Sequence, residues 1–351
     1  MTLMNLPPIA TRRYVKPIPD DGYYLTQSCV FGALNPAHEK LVARLFDLLG
    51  RRWTTGGPGV GCQNTCCTGM SMHGSVMTPE SQLLVVARLW ALCAEAGFEN
   101  IAASCVTSFA THNECAELLH TEPGLAAKVD AVLFKSCGRQ LVVPDHIVHC
   151  SDIIYRYRSE LSRFMSHRLV DVGTGRPLKV VDHVGCHYNK LMPRKSVGGS
   201  EYCDVLTAMI REWGGAEVDY PERRHCCGMG FRQCVIRPNR GFTVACVRKK
   251  LESMAPFAPD LMVTNCPGCL HILDREQWAV SQLTGVVYDI PVLTYAELAA
   301  LLLGWDPYEL VGIQMHTVPV EPVLERIGIP ASGASPYLHE RPLARQGGGA
   351  R

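Results

Sequence analysis

At 351 residues the chain is long enough for two domains and a sizeable core, and its formal charge of +1 offers neither a basic face for nucleic acid nor a polybasic patch for a membrane surface. Hydrophobic residues make up 47% and charged residues 19%, the balance of a globular protein, yet 17 residues are cysteine. A chain of this size needs no disulfide staples and the total is odd, so the cysteines read as metal ligands or redox groups of a protein kept in the reducing cytoplasm.

The first 16 residues hold Pro7, Pro8, Arg12 and Arg13 but no apolar run of the length of a secretory signal. Helical periodicity covers 36–50 and 78–97. Residues 121–168 read as helices that complete a first unit, and Gly-Thr-Gly-Arg-Pro at 173–177 reads as a linker. Beyond it, apolar runs at 178–182, 261–264 and 286–290 predict buried parallel strands. Helices are expected at 200–214, 240–254 and 270–284. The longest apolar stretch, near Leu298 to Leu303, is too short to cross a bilayer. From Ser332 onward Gly, Pro, Ser, Ala and Arg dominate, and a disordered end is expected.

The cysteines form two parallel series. Cys29, the pair Cys66-Cys67, and Cys105 make the first; Cys186, the pair Cys226-Cys227, and Cys266-Pro-Gly-Cys269 make the second. Corresponding members lie about 160 residues apart, which is an internal duplication with the period of a domain rather than of a solenoid repeat. Cys29, Cys105, Cys186 and Cys266 fall at or just past expected strand ends, the rim of an open α/β sheet where ligands gather. Each half would then collect its cysteines at one rim.

A Cys-x-x-Cys motif alone fits zinc, a redox disulfide or an iron–sulfur cluster. The second series adds an adjacent pair and a distant single cysteine, five thiols in all, and tetrahedral zinc has no use for a fifth thiolate. Soft thiolates in this number favour an iron–sulfur cluster, because adjacent cysteines can address different irons. Gly228 and Gly230 let the backbone close around bulky sulfide.

The patterns His-Val-Gly-Cys186-His, Cys226-Cys227-Gly228 and Asn-Cys266-Pro-Gly-Cys269 resemble the CCG cysteine-rich domain. That domain recurs in the B-type subunit of heterodisulfide reductases and in glycolate, lactate, glycerol-phosphate and succinate/fumarate redox enzymes. The tail from Leu303 to Ile313, followed by His316, is similar to the end of the heterodisulfide reductase subunit. The resemblance implies an α/β fold of two duplicated Rossmann-like CCG domains, with short parallel sheets flanked by helices. Their expected limits are 1–172 and 173–304, with a C-terminal extension at 305–351. It implies a noncubane four-iron cluster on Cys186, Cys226, Cys227, Cys266 and Cys269, with Cys226, Cys227 and His187 at the chemistry of a disulfide. The partners implied are a ferredoxin-like C-type subunit, a flavoprotein A-type subunit and, in a sulfur-oxidising setting toward which the reading leans, a lipoate-bearing sulfur carrier. The rival readings are an electron-transfer subunit of a glycolate- or succinate-type dehydrogenase, and a non-catalytic zinc scaffold.

The first series departs from that pattern. Cys105-Val-Thr-Ser108 stands where Cys-x-x-Cys is expected and places a hydroxyl at the fourth position of that motif, leaving four thiols, Cys29, Cys66, Cys67 and Cys105. An altered cluster using Ser108 or Cys62, a conventional four-cysteine cluster and a zinc site all remain open there. Cys93, Cys115, Cys137, Cys150, Cys203, Cys234 and Cys246 read as small apolar residues, with Cys115 and nearby His112 the one pair singled out. His183, His187, His225 and His271 flank the second series as proton donors or hydrogen-bond donors to sulfur, or as satisfied structural histidines. Lys190, Arg194 and Lys195 read as a solvated loop rather than an anion-attracting patch.

Overall fold

The computed structural model describes residues 17–56, 77–199, 203–230 and 240–331. Cys62, Cys66, Cys67, Cys234 and the tail from Ser332 lie outside the described residues.

Two four-stranded sheets are built in the same way. In the first, β1 (Tyr23–Thr26), β2 (Trp53–Thr54), β3 (Asn100–Ala103) and β4 (His146–His149) pair in the order β2-β1-β3-β4. In the second, β5 (Lys179–His183), β6 (Ala216–Glu217), β7 (Leu261–Thr264) and β8 (Val292–Thr294) pair as β6-β5-β7-β8. Every pairing is parallel, and the two central registers match, with Tyr23 opposite Asn100 and Val180 opposite Leu261. The duplication expected from the cysteines is thus a duplication of topology.

Parallel strands must be covered on both faces, and side chains alternate between them. Tyr23 and Leu25 of β1 point into the main core, whereas Tyr24, Ile101 and Ile147 join a smaller cluster around Trp90. The first unit supplies helices α1 (Cys29–Leu34), α2 (Ala37–Leu48), α3 (Pro79–Glu95), α4 (Val106–Thr121), α5 (Pro123–Cys137), α6 (Cys150–Arg156) and α7 (Arg158–Phe164). The second supplies α8 (Val205–Glu212), α9 (Arg240–Met254), α10 (Pro267–Thr284), α11 (Tyr295–Leu302) and α12 (Glu321–Arg326). The main core is shared: α11 packs on α2, and His38 Nδ1 lies 3.0 Å from Thr294 Oγ1. No described helix is long and apolar enough to cross a membrane.

Two element expectations are corrected. Residues 286–290 are not a strand; Gly285 ends α10 in a left-handed conformation, and Val286 and Val287 stand 50% and 75% exposed. The last strand comes later, at Val292–Thr294, where every residue is buried. Residues 121–168 are not all helical either, since β4 lies among them. Its four residues, His-Ile-Val-His, are too short to carry a period.

Candidate functional site

The cysteines reach their places through the ends of strands. β5 runs into Asp182 and His183, and Cys186 follows three residues later, opening a π-helical turn at His187–Leu191. β7 ends at Thr264, and Cys266 is then the N-cap of α10, with Pro267 at its first position. A Pro at this position loses nothing, because its missing N–H would have no partner in the helix. The Cys266 sulfur accepts the Cys269 backbone N–H at 3.4 Å, so the Cys-x-x-Cys motif is also the cap of the helix. Cys105 is the N-cap of α4 after β3, though its side chain makes no cap bond, and Ser108 holds the place that Cys269 holds in the second unit.

Cys226 and Cys227 sit on the segment before α9. Their sulfurs accept the N–H groups of Gly228 and Met229, each at 3.4 Å. Gly228 has φ +87°, and a Cβ there would stand 2.9 Å from Cys246 Cβ and 3.0 Å from the Thr243 backbone. A Cβ on Gly268 would lie 2.7 Å from Met229 Cγ. Glycine at 228 lets the cysteine-bearing segment approach the backbone of α9, and glycine at 268 leaves room for the Met229 side chain.

The thiols converge. Cys269 Sγ donates to Cys227 Sγ at 3.2 Å, and His183 Nε2 meets Cys269 Sγ at 3.2 Å; all three residues are buried, with these ligand atoms within 4.8 Å of one another. Proton sharing splits the set. Cys226 is held far below the ordinary thiol range by the thiols of Cys186 and Cys227 beside it, and Cys266 is lowered by Cys269. Cys186 and Cys227 are raised as the partners of Cys226, and Cys269 is raised by its bond to Cys227. Thiols crowded this closely, with no acidic partner among the described residues, are the donor set of a soft, multiply charged centre. With the glycine-lined approach around Gly228 and Gly268, the second series fits a thiolate-bound cluster.

The two rims are not separate. One cleft is lined by Cys29, Cys105 and Ser108 from the first unit and by Cys186, Cys226, Cys227, Cys266 and Cys269 from the second. Cys105 is pushed up to about 11, first by burial and then by the charge of Cys266 across the seam. Gly185 makes this closeness possible: a Cβ there would stand 2.8 Å from Val106 Cγ2 and 2.9 Å from Cys266 Cβ. The Asn265 side chain accepts the Gly185 N–H at 3.0 Å and locks the contact. Thr107 Oγ1 reaches across to His187 Nδ1 at 3.0 Å, placing His187 in the cleft wall.

The remaining predicted residues separate from the cleft. His225 pairs with Glu222 at 3.3 Å. His271 lines a neighbouring small pocket with Arg275, and burial lowers it to about 4. Lys195 makes a loose ion pair with Glu117 at 3.9 Å. His112 accepts the Trp90 indole N–H at 2.8 Å inside the smaller core, and burial pushes the Cys115 thiol up to about 12, so that pair is packing. Cys93, Cys150, Cys203 and Cys246 are buried as well. Sequence reasoning passed over Thr107, Met229, Gly185 and Asn265. Gly185 and Asn265 carried a signal, as the residues before Cys186 and Cys266 in the motifs.

Residues 180–274 match the family model described as the CCG cysteine-rich domain. The chain is 29% identical over 317 residues to the B-type subunit of the ferredoxin:CoB-CoM heterodisulfide reductase of Methanosarcina acetivorans, covering 90% of this chain and 99% of that protein. It is 27% identical over 250 residues to a protein of Archaeoglobus profundus described as like the heterodisulfide reductase B-type subunit, covering 69% of this chain and 79% of the relative. A crystal structure of a hypothetical protein from Helicobacter pylori shares the fold with a TM-score of 0.60 at 12% identity, over 87% of this chain and 53% of that one. The resemblance read from the motifs to the B-type subunit of heterodisulfide reductase therefore holds, as does the duplicated α/β fold.

Proposed function

We propose that this chain is the iron–sulfur subunit of a heterodisulfide reductase-like complex, an oxidoreductase component that makes or breaks S–S bonds at the cleft between its two units. The observation that carries the reading is the convergence of five thiols of the second unit with Cys29 and Cys105 of the first in one cleft. A plain electron relay needs no such opening beside its ligands.

Cys186, Cys226, Cys227, Cys266 and Cys269 would hold a noncubane four-iron cluster. Cys29 and Cys105, with Cys66 and Cys67, would hold the altered, conventional or zinc centre of the first unit. Such a cluster, when bound, supplies electrons one at a time and a metal that can take up a sulfur. The protein does the rest. The cleft walls at Val30, Val106 and Met229 are apolar and limit water around a disulfide. His187, oriented by Thr107, lies where it can give a proton to a departing thiolate or take one from an arriving thiol. Reduction of a disulfide consumes two electrons and two protons and yields two thiols, so the electrons must come from another protein of the complex.

A ferredoxin-like C-type subunit and a flavoprotein A-type subunit are the proposed partners, and a lipoate-bearing carrier is the proposed sulfur source in cytoplasmic sulfur oxidation. The domain limits of this reading are 1–172 and 173–304, with 305–351 as extension. The test is iron and acid-labile sulfide content, with EPR, on anaerobically purified protein and on Cys227→Ala. Iron and sulfide with a thiol-responsive signal that the variant loses are expected. Zinc in place of iron, or a signal indifferent to Cys227, would overturn the reading.

A further inference from the structure

Lys250 of α9 is fully buried, which is rare for a lysine without an ionic partner. Its ammonium donates to the Tyr220 hydroxyl at 3.3 Å, to the Arg223 carbonyl at 3.2 Å and to the Glu222 carbonyl, and it lies 5.1 Å from the centroid of the Tyr220 ring. No carboxylate ion-pairs with it among the described residues. Burial lowers it to about 8, against the opposing pull of Cys227 and Cys269, then of Asp182 and Glu222. A buried cation of this kind is costly unless an anion compensates it.

The partners of Lys250 also sit at a junction. The Tyr220 hydroxyl donates to the Asp182 carbonyl at 3.2 Å, and the Arg223 guanidinium pairs with the Asp182 carboxylate and with Thr207. The segment that leads into Cys226 and Cys227 is thereby pinned to β5 and to α9 at once. β5 leads in turn to His183 and Cys186.

We propose that Lys250 is a positioning residue of the thiolate centre: its ammonium anchors the segment that delivers Cys226 and Cys227, and its buried positive charge offsets the negative charge that thiolate ligation gathers there. The inference rests on the iron–sulfur reading above. A fixed cation beside the centre favours the reduced state, because reduction adds negative charge.

Lys250→Gln keeps N–H donors for the two carbonyls and removes the charge. The expected result is folded protein with wild-type iron content, and a redox titration followed by EPR in which the reduced-to-oxidised ratio at fixed potential falls at least about tenfold, a drop of about 59 mV for one electron. Lys250→Met removes the donors as well, and its iron and sulfide content is expected to fall by more than about half. An unmoved potential in the Gln variant overturns the proposal. So does a Gln variant that fails to fold metal-free, since the lysine would then be demanded by the fold alone, and so does full iron loading of the Met variant. Wild-type protein without iron would instead overturn the iron–sulfur reading, so the two failures are distinguishable.

Discussion

Among single residues, Gly185 is hemmed in from both units at once. Its missing Cβ is what lets Val106 of the first unit and Cys266 of the second share a wall. Gly185→Ala should force the seam apart and destabilise the metal-free protein by about 1–3 kcal/mol, read as a lower urea midpoint with little change in slope. An unchanged midpoint would mean that the seam opens without cost. His187 differs in kind, because its ring lines the cleft. His187→Gln should retain iron and lower disulfide turnover by about a hundredfold, and Thr107→Val should lower it by a smaller factor. Equal turnover in all three proteins would remove His187 from the chemistry.

Among elements, α4 and α10 show how the fold reuses one device. Each follows the third strand of its sheet, and each takes a cysteine as its N-cap. Only α10 has a sulfur-capped first turn, and there the third residue past the cap is Cys269 rather than serine. Helix α11 ties the two units together from the other side. Its Thr294 accepts the Glu297 N–H while the Glu297 carboxylate accepts the Thr294 N–H, a reciprocal capping box. The same Thr294 hydroxyl meets His38 of α2. Thr294→Ala should therefore cost more than an isolated cap, about 2 kcal/mol, seen as a fall in the thermal midpoint; Thr294→Ser should recover most of it.

At the level of the whole molecule, the shared core makes stability sensitive to acid. His38 and His112 are fully buried, and burial lowers both from the ordinary value of 6.5 to about 4. Above pH 6.5 both are neutral in the folded and unfolded chains. Below it the unfolded chain takes up protons that the folded one refuses, so stability falls until pH drops through about 4. Each histidine is worth up to about 3 kcal/mol in that window. Glu297 acts in the same direction at lower pH. It is held at about 2, against its burial, chiefly by His316, and its contribution is present above pH 4.5 and is lost toward pH 2. Urea titrations of metal-free protein from pH 8 to pH 4 should show the midpoint falling between 6.5 and 4. A flat profile would mean that these histidines are hydrated or charged when folded.

The cysteine spacings alone established the duplication, the place of each key cysteine past a strand end, and the resemblance to a redox family, because ligand number and spacing are local facts of a chain. The helix expected at 240–254 and the apolar run at 261–264 also matched their elements residue for residue. Where the local signal was weak or misleading, burial decided: Val286 and Val287 have strand-forming side chains but face solvent, and the strand formed at Val292, where the core could cover it. Only the tertiary structure brought Cys29 and Cys105 to the cysteines of the second unit, set Thr107 against His187, and buried Lys250 against the Glu222 and Arg223 carbonyls of the segment that leads into Cys226 and Cys227. These contacts join residues about 25 to 240 positions apart, and they arise from two sheets sharing one core, which no local pattern encodes.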